Sequence, residues 1–167
     1  MHSFNSILIH CVWSTKNREP SLTSSLRDRL WPYLGGIARQ NKMKAVASGG
    51  AADHVHILIS LPSTMSVAKA VQLLKGNSSK WLRETFPKMH SFEWQEGYGA
   101  FSIGASGLEA TVNYIRNQPE HHRKRSFREE FEAMLRKHGF DYDRQRSIRI
   151  LSSLMGLCSA SAHCPQR

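Results

Sequence analysis

Cysteine is scarce in this chain of 167 residues. Cys11, Cys158 and Cys164 are the three present, and none of them forms a close CxxC pair. An odd number of widely spaced cysteines argues against a disulfide framework and against a zinc ribbon. We therefore expect the protein to work in a reducing cytoplasm.

Long apolar segments are also missing from the sequence. No apolar run approaches the roughly 18–20 residues that a membrane-spanning helix needs. The segment from Met1 to Trp13 has no basic region followed by a small-residue cleavage site, so it does not resemble a signal peptide. The sequence therefore predicts a cytoplasmic protein without a membrane partner.

Acidic residues are few in comparison with basic ones. The chain has 13 Asp and Glu residues against 23 Lys and Arg residues, which gives a formal net charge of +10 and an isoelectric point near 10.0. A balance of this size favours a polyanionic partner such as nucleic acid. Ribosomal proteins, membrane-surface proteins and many nucleases share this property, so the charge alone does not choose between them.

The sequence does contain a regular series of apolar patterns. Runs of β-branched and aromatic residues predict strands, and apolar residues at helical spacing predict helices. The predicted strands are 6–13, 43–48, 53–61 and 92–103, and the predicted helices are 22–41, 66–86, 107–118 and 126–138. The order β-α-β-β-α-β-α-α is typical of an α+β architecture with helices packed on an antiparallel sheet.

Glycine and proline are expected to interrupt or delimit several of these elements. Pro32 is predicted to kink or break the first helix, since it removes a backbone donor. Gly76 and Asn77 are predicted to interrupt the second helix. Gly49-Gly50 is predicted to form the turn after the second strand.

Two four-residue segments have the spacing of capping boxes. Ser106 with Glu109 and Ser126 with Glu129 would each satisfy unpaired backbone donors at a helix start. Gly139 follows the last helix as its stop signal. We interpret 1–146 as one domain and 147–167 as a basic, poorly ordered tail.

The strand predicted at 53–61 carries two histidines two residues apart. Side chains alternate between the faces of a strand, so His54 and His56 point the same way. Two imidazoles at this spacing can share one divalent ion. The alternative is a pair of structural histidines in hydrogen-bonded surroundings, and the triplet alone leaves both interpretations open.

The helix at 107–118 carries a tyrosine and a glutamine on one face. Tyr114 and Gln118 are spaced i, i+4 and lie one turn apart. A tyrosine can attack phosphorus through its phenolate, and a glutamine offers a neutral oxygen to a hard metal ion. The alternative for Tyr114 is a core or interface aromatic.

Basic residues accompany these candidates and suit a phosphate backbone. The candidate DNA contacts are Lys16, Arg18, Lys75, Lys80, Arg116, Arg123 and Lys124. For any single one of them, ordinary solvated charge is the alternative interpretation.

Taken together, four segments strongly resemble one family. They are HVHILISLP (54–62), LKGNSSKWL (within 73–82), FEWQEGYGAFSIGAS (92–106) and YIRNQPEHHRKRSFREEF (114–131). In motif order, spacing and flanking sequence they resemble the single-tyrosine HUH transposases of insertion sequences and their REP-associated relatives. The resemblance spans roughly residues 4–143.

The resemblance implies a fold, a site and partners. It implies a ferredoxin-like or RRM-like sheet with the histidine strand at its centre. It implies that His54, His56 and Gln118 bind Mg²⁺ or Mn²⁺, and that Tyr114 is the nucleophile that forms a 5′-phosphotyrosine. Such enzymes cut and rejoin single-stranded DNA at imperfect hairpins and act as homodimers, so we expect these partners and no nucleotide cofactor.

Two other functions remain open at this stage. One is a different HUH endonuclease, of the replication-initiator or relaxase type, although such chains are generally larger. The other is a non-catalytic module that binds single-stranded nucleic acid on an RRM-like sheet, which would need surface aromatics for base stacking. Such a module would not need His54, His56, Tyr114 and Gln118 together.

Overall fold

A computed structural model describes residues 4–118 and 126–140 of the chain. Its strands and helices follow the predicted order. The strands are β1 (Leu8–Ser14), β2 (Lys44–Gly50), β3 (His54–Ser60) and β4 (Gly99–Ser102), and the helices are α1 (Ser24–Gln40), α2 (Val67–Thr85), α3 (Leu108–Arg116) and α4 (Phe127–Lys137). The predicted tail, 147–167, lies outside the described residues.

The four strands form one antiparallel sheet in the order β2-β3-β1-β4. This order, with a βαββαβ connection, is that of the ferredoxin-like fold, so the predicted fold class is confirmed. β3 lies between β2 and β1, which places the histidine strand at the centre of the sheet. In the register of β1 and β3, His56 lies opposite Val12 and His54 lies opposite Ser14.

The two faces of the sheet are covered by different helices, because side chains alternate along each strand. One face packs against α1 and α2 and forms the main core. The strand residues of this core are Ile9, Cys11, Trp13, Val55, Ile57 and Ile59, and the helix residues include Leu30, Leu34, Ala70, Leu74 and Leu82. The opposite face carries His10, His54 and His56, and we call it the site face.

The site face is covered by α3 and α4. From α3, Ile115 packs against Leu58 and Ala47. From α4, Phe127 and Phe131 belong to a cluster that also contains Val12, Phe101 and Met134. His54 and His56 therefore lie beneath α3 and α4, on the face of the sheet opposite the main core.

Helices α1 and α2 continue through the residues that were expected to interrupt them. α1 runs from Ser24 to Gln40 with Pro32 inside it, and α2 runs from Val67 to Thr85 through Gly76. In α2, Leu74, Ser78 and Leu82 keep a buried stripe at helical spacing across the glycine. This burial outweighs the about 1 kcal/mol by which glycine weakens a helix.

The other expected breaks also differ from the structure. Gly49-Gly50 does not form a turn but ends β2. A methyl group on Gly49 would lie 2.1 Å from the carbonyl oxygen of Ile115, so this glycine lets α3 approach the sheet closely. The strand predicted over 92–103 is only Gly99–Ser102, and Trp94 contributes an isolated bridge to Thr15.

One of the two expected capping boxes is present. Ser126 and Glu129 cap α4 reciprocally, and Gly139 follows that helix with a φ of 75°. The box at Ser106 is wrong: among the described residues, no side chain caps α3, because a 3-10 turn at Ala105–Gly107 moves the helix start past Ser106. No helix within 4–118 or 126–140 is long and apolar enough to cross a membrane.

Candidate active site

His54 and His56 lie side by side on the site face, as the strand alternation predicted. Both side chains are fully buried, and their ring centroids are 5.1 Å apart with the ring planes nearly perpendicular. Burial of both rings beneath α3 and α4 keeps their nitrogens away from bulk water. The ring nitrogens are therefore available to neighbouring protein groups or to a bound ion.

Each of these imidazoles is held through its Nδ1 atom. Nδ1 of His54 lies 2.7 Å from Oδ1 of Asp53, and Nδ1 of His56 lies 3.0 Å from Nε2 of His10. The Asp53 carboxylate can only accept, so Nδ1 of His54 carries the hydrogen and a neutral His54 keeps its lone pair on Nε2. Orientation of a metal-binding histidine through its second ring nitrogen is the usual arrangement in metal sites.

The charges of these supporting groups are set by their surroundings. Burial opposes ionisation of Asp53, but hydrogen bonds from His54 and Arg18 outweigh it and hold the pKa of this carboxyl well below its usual range. Burial lowers the pKa of His10 to about 4, against an opposing effect of the Glu130 charge. At neutral pH His10 is therefore uncharged, and its Nε2 can accept a hydrogen bond from Nδ1–H of His56.

Tyr114 and Gln118 reach the histidines from α3 and the residues that follow it. The ring of Tyr114 lies 5.7 Å from that of His56, between centroids, at a nearly perpendicular angle. The amide oxygen of Gln118, a fully buried residue, lies 3.5 Å from Nε2 of His54. The structure thus brings together the four residues that the sequence predicted, within one chain.

Glu130 of α4 joins this group, and the sequence analysis did not include it. Its Oε1 accepts hydrogen bonds from the hydroxyl of Tyr114 and, at 2.7 Å, from the amide nitrogen of Gln118. His54, His56 and Glu130 offer ligand atoms that all lie within 4.8 Å of one another. Imidazole nitrogens with a carboxylate and an amide oxygen form a donor set that suits a first-row divalent ion such as Mn²⁺.

Phe127 and Arg18 close the site on the side of His54. The ring of Phe127 stacks on that of His54 at 4.4 Å, and the guanidinium of Arg18 lies 5.3 Å from the centroid of the Phe127 ring. Arg18 also donates to Oδ2 of Asp53 at 2.7 Å. Its backbone has a φ of 57°, a left-handed conformation that is uncommon outside glycine.

A cavity of about 560 Å³ opens beside Tyr114. Its walls include His10, Thr111, Tyr114, Glu130 and Lys137. Tyr114 and Glu130 belong both to this wall and to the histidine cluster, so the cavity adjoins the candidate site. It is large enough to admit a group from a bound polymer close to the phenol.

The predicted DNA contacts divide into tethered and exposed side chains. Lys75 donates to the backbone oxygens of Gln95 and Gly97, both at 2.7 Å, and Arg18 is engaged as described above. Lys16 pairs with Glu93, Lys80 lies 3.9 Å from Glu84, and both pairs are exposed. Arg116 is exposed at the end of α3. Arg123 and Lys124 lie outside the described residues.

The cluster of two histidines, a tyrosine and a glutamine falls inside a region that a known family covers. The sequence model of the family described as "Transposase IS200 like" matches residues 3–118, which is most of the chain. The chain belongs to the IS200-like transposase family. The alternative of a replication initiator or relaxase is therefore set aside in favour of a transposase.

Individual relatives agree with this assignment. The ISDra2 transposase TnpA of Deinococcus radiodurans is 29% identical over 114 residues, covering 65% of this chain and 81% of the relative. The transposase for insertion sequence element IS200 of Salmonella typhimurium is 28% identical over 116 residues, covering 66% of this chain and 76% of the relative.

Solved structures have the same fold. A Deinococcus radiodurans crystal structure assigned to a transposase superposes with a TM-score of 0.58 at 26% identity, over 71% of this chain and 95% of the other. A REP-associated tyrosine transposase solved with a REP hairpin superposes with a TM-score of 0.54 at 16% identity, over 73% of this chain and 74% of the other. The second likeness shows a shared fold.

Three residues of the site were missed by the sequence analysis. His10 stands in a predicted strand, yet only the register of β1 against β3 shows that it faces His56. Glu130 does carry a local signal, since it interrupts the apolar stripe of α4 that contains Phe127, Phe131 and Met134. Asp53 directly precedes the histidine strand, but its role depends on the orientation of the His54 ring.

Proposed function

We propose that this transposase cleaves and rejoins single-stranded DNA through a covalent 5′-phosphotyrosine formed on Tyr114. The observation that supports the proposal best is the convergence of a tyrosine hydroxyl with two buried imidazoles whose Nδ1 atoms are already engaged. A tyrosine of purely structural function would not require two oriented histidines and a glutamine amide beside it. The basic balance of the chain is compatible with a DNA substrate.

The residues present fit a divalent ion, Mg²⁺ or Mn²⁺, held by His54, His56 and Gln118. The orientation of the two imidazole rings supports this fit. Nδ1 of His54 pairs with Asp53 and Nδ1 of His56 pairs with His10, which directs each Nε2 toward the centre of the cluster. When bound, such an ion polarises a phosphate oxygen and offsets the negative charge that develops during attack. The protein groups that surround it fix its position and exclude bulk water.

The reaction exchanges one phosphorus–oxygen bond for another. The phenolic oxygen of Tyr114 attacks the phosphorus, the bond from phosphorus to the 3′ oxygen breaks, and the strand leaves with a free 3′-OH. The proton lost by the phenol balances the proton gained by the 3′ oxygen. A 3′-OH then attacks the phosphotyrosine and restores the hydroxyl of Tyr114. The phosphodiester bond energy is conserved, so no nucleotide cofactor is required.

The DNA partner we propose is a single strand that contains an imperfect hairpin. The fold shared with a tyrosine transposase solved on a REP hairpin supports this choice. Arg116, Lys16 and Lys80 are the exposed or surface-paired candidates for phosphate contacts, and Arg123 and Lys124 remain candidates by sequence alone. Lys75 and Arg18 are weaker candidates, because their cationic groups already bind the protein.

We further propose a homodimer in the cytoplasm as the working state. In the single chain, α3 docks on its own sheet, so the tyrosine can serve the histidines of the same chain. Exchange of α3 between two chains would keep the same contacts, since a glycine-rich segment precedes the helix at 97–107. Light scattering of the full chain, with and without hairpin DNA, tests the dimer.

The test of the chemistry is a covalent-adduct assay. Wild-type protein is mixed with Mn²⁺ and a labelled library of single-stranded hairpins with randomised flanks, and adducts are separated on denaturing gels. We expect a labelled protein band for the wild type and none for Tyr114→Phe. Tyr33→Phe is the matched control, because Tyr33 stacks on Trp81 at the far side of the sheet and should leave the adduct unchanged.

The outcomes separate the nucleophile from the metal site. An adduct that persists in Tyr114→Phe would show that another residue attacks. Cleavage retained in the double variant His54→Ala/His56→Ala would exclude the proposed ion site. If the wild type binds the strands equally well in EDTA and never forms an adduct, the non-catalytic binding module is the better interpretation.

A further inference from the structure

Glu130 occupies an unusual position for a carboxylate. It lies on the buried side of α4, where the neighbouring positions of the stripe are Phe127, Phe131 and Met134. The residue is 7% exposed. A charged group in such a stripe costs free energy unless polar partners compensate it, so its presence points to a specific interaction. α4 also lies beyond residues 3–118, the part of the chain that the family model matches.

The partners of Glu130 all belong to the candidate active site. Its Oε1 accepts from the hydroxyl of Tyr114 and from Nε2 of Gln118 at 2.7 Å. The same oxygen lies 3.8 Å from Nε2 of His56. The bond from Gln118 also fixes which end of its amide faces His54, because a carboxylate accepts the NH₂ group and leaves the amide oxygen directed at Nε2 of His54.

The distances are those of donors around one ion. Ligands bound at about 2.1 Å in octahedral geometry lie about 3 Å apart when adjacent and about 4 Å apart when opposite. The 3.8 Å between Oε1 of Glu130 and Nε2 of His56 falls inside this range. The ligand atoms of His54, His56 and Glu130 together lie within 4.8 Å, so little movement would bring all three onto one ion.

The charges of the ligands also favour Glu130 as a member of the metal site. His54, His56 and Gln118 are neutral ligands when they bind a metal. Without Glu130 the ion would have no anionic protein ligand within the described part of the chain, and the nearest carboxylate there would be Asp53 behind His54. A carboxylate is the ligand type that hard divalent ions prefer. Glu130 supplies that charge from α4, at a position where its oxygen also touches the tyrosine hydroxyl.

We propose that Glu130 is a protein ligand of the divalent ion, and that α4 thereby contributes the anionic member of the metal site. The inference rests on the proposed function insofar as the ion binds His54 and His56. It also links ion and nucleophile, because the carboxylate that binds the ion accepts the hydrogen bond of Tyr114. Binding of the metal would then order α4 over α3.

The experiment measures Mn²⁺ affinity by calorimetry and by electron paramagnetic resonance on the full chain without DNA. The variant is Glu130→Gln, which keeps the shape and the oxygen that accepts from Tyr114 and Gln118 but removes the charge. We expect its Mn²⁺ affinity to fall by at least about tenfold. Glu132→Gln on the same helix is the matched control, since that carboxylate pairs with Arg128 at the surface, and its affinity should stay within about twofold.

Two further measurements keep the outcomes distinct. His56→Ala must also weaken Mn²⁺ binding, and thermal unfolding without metal must show that Glu130→Gln is folded. If His56→Ala weakens binding and Glu130→Gln does not, Glu130 is only a positioning residue for Tyr114 and Gln118, and the inference is overturned. If His56→Ala and Glu130→Gln both leave the affinity unchanged, the ion site of the proposed function fails as well.

Discussion

Nε2 of His10 lies 3.0 Å from Nδ1 of His56, a contact between the two central strands of the sheet. Burial lowers the pKa of His10 to about 4, so the ring is neutral at physiological pH and can act as an acceptor. With Nδ1–H of His56 donating to it, the lone pair of His56 is on Nε2. In this arrangement His10 supports the tautomer of His56 that can bind an ion through Nε2, as the Asp53 carboxylate does for His54.

Replacing His10 should therefore weaken metal binding without removing a ligand. In His10→Phe the acceptor for Nδ1–H of His56 is lost, and we expect Mn²⁺ affinity to fall about 10- to 100-fold, the usual effect of removing such a partner. His10→Asn keeps an acceptor oxygen and should lose less. Mn²⁺ titration followed by calorimetry measures both.

His90→Phe is the control for this prediction, because His90 is an exposed histidine near the end of α2. Its affinity for Mn²⁺ should match that of the wild type. Equal affinities for His10→Phe and the wild type would mean that the tautomer of His56 is fixed by other groups.

A second prediction concerns the close approach of α3 to the sheet at Gly49. In Gly49→Ala the added methyl would lie 2.1 Å from the carbonyl oxygen of Ile115, so the helix must move. We expect a loss of about 1–3 kcal/mol in the free energy of unfolding. Because Tyr114 is next to Ile115, adduct formation should fall about 100-fold as well. Denaturant unfolding and the covalent-adduct assay measure the two effects.

Gly36→Ala supplies the matched comparison. A methyl group at Gly36, inside α1, would meet none of the described atoms within 4 Å. This variant should be stabilised by up to about 1 kcal/mol, since alanine favours the helix, and should retain its activity. Full activity in Gly49→Ala would show that α3 can shift without displacing its tyrosine.

The histidine pair and the tyrosine could be predicted because their signals are local. His54 and His56 share a face through strand alternation, and Tyr114 and Gln118 share one through helical spacing. His10 was missed because its role depends on pairing with a strand 46 residues away in sequence. Only the register of β1 against β3 shows that His10 contacts His56.

The mistaken boundaries have a common physical origin. Gly76 was expected to interrupt a helix because of its low helix propensity, yet the burial of Leu74 and Leu82 on either side carries α2 through it. Gly49 was expected to turn the chain, but its lack of a side chain serves the packing of α3 instead. In each case tertiary contacts decided between conformations that the local sequence allowed.

A third prediction separates two arginines that the sequence treated alike. Arg18 donates to Asp53 at 2.7 Å and lies over Phe127, whereas Arg116 is exposed. We expect Arg18→Ala to lose about 1–3 kcal/mol of stability, because the Asp53 carboxylate loses a charged partner. Arg116→Ala should change the stability by no more than about 0.5 kcal/mol.

Binding of single-stranded DNA should show the opposite pattern. If Arg116 contacts a phosphate, the plot of log affinity against log salt concentration is less steep for Arg116→Ala, by about 0.7. The slope of Arg18→Ala should equal that of the wild type. Fluorescence anisotropy at several salt concentrations measures it, and a reduced slope for Arg18→Ala would restore Arg18 as a DNA contact.

The last prediction concerns Lys75, whose ammonium donates to the backbone oxygens of Gln95 and Gly97 in the segment before β4. Burial lowers the pKa of Lys75 to about 8, against a smaller opposing effect of Glu96. In the unfolded chain the pKa of a lysine is about 10.4. Between these two values the unfolded chain holds more protons than the folded one.

The free energy of unfolding should therefore rise with pH from about 8 to about 10 through Lys75, because stability increases wherever the unfolded state binds more protons. Below pH 8 the lysine is charged in both states and contributes no slope. A neutral amine still donates to both carbonyl oxygens, so the segment stays attached as the charge is lost. Urea unfolding at several pH values, compared with Lys75→Met, isolates this effect from the other groups that titrate there. Parallel pH profiles for the wild type and Lys75→Met would show that the backbone oxygens hold Lys75 fully charged.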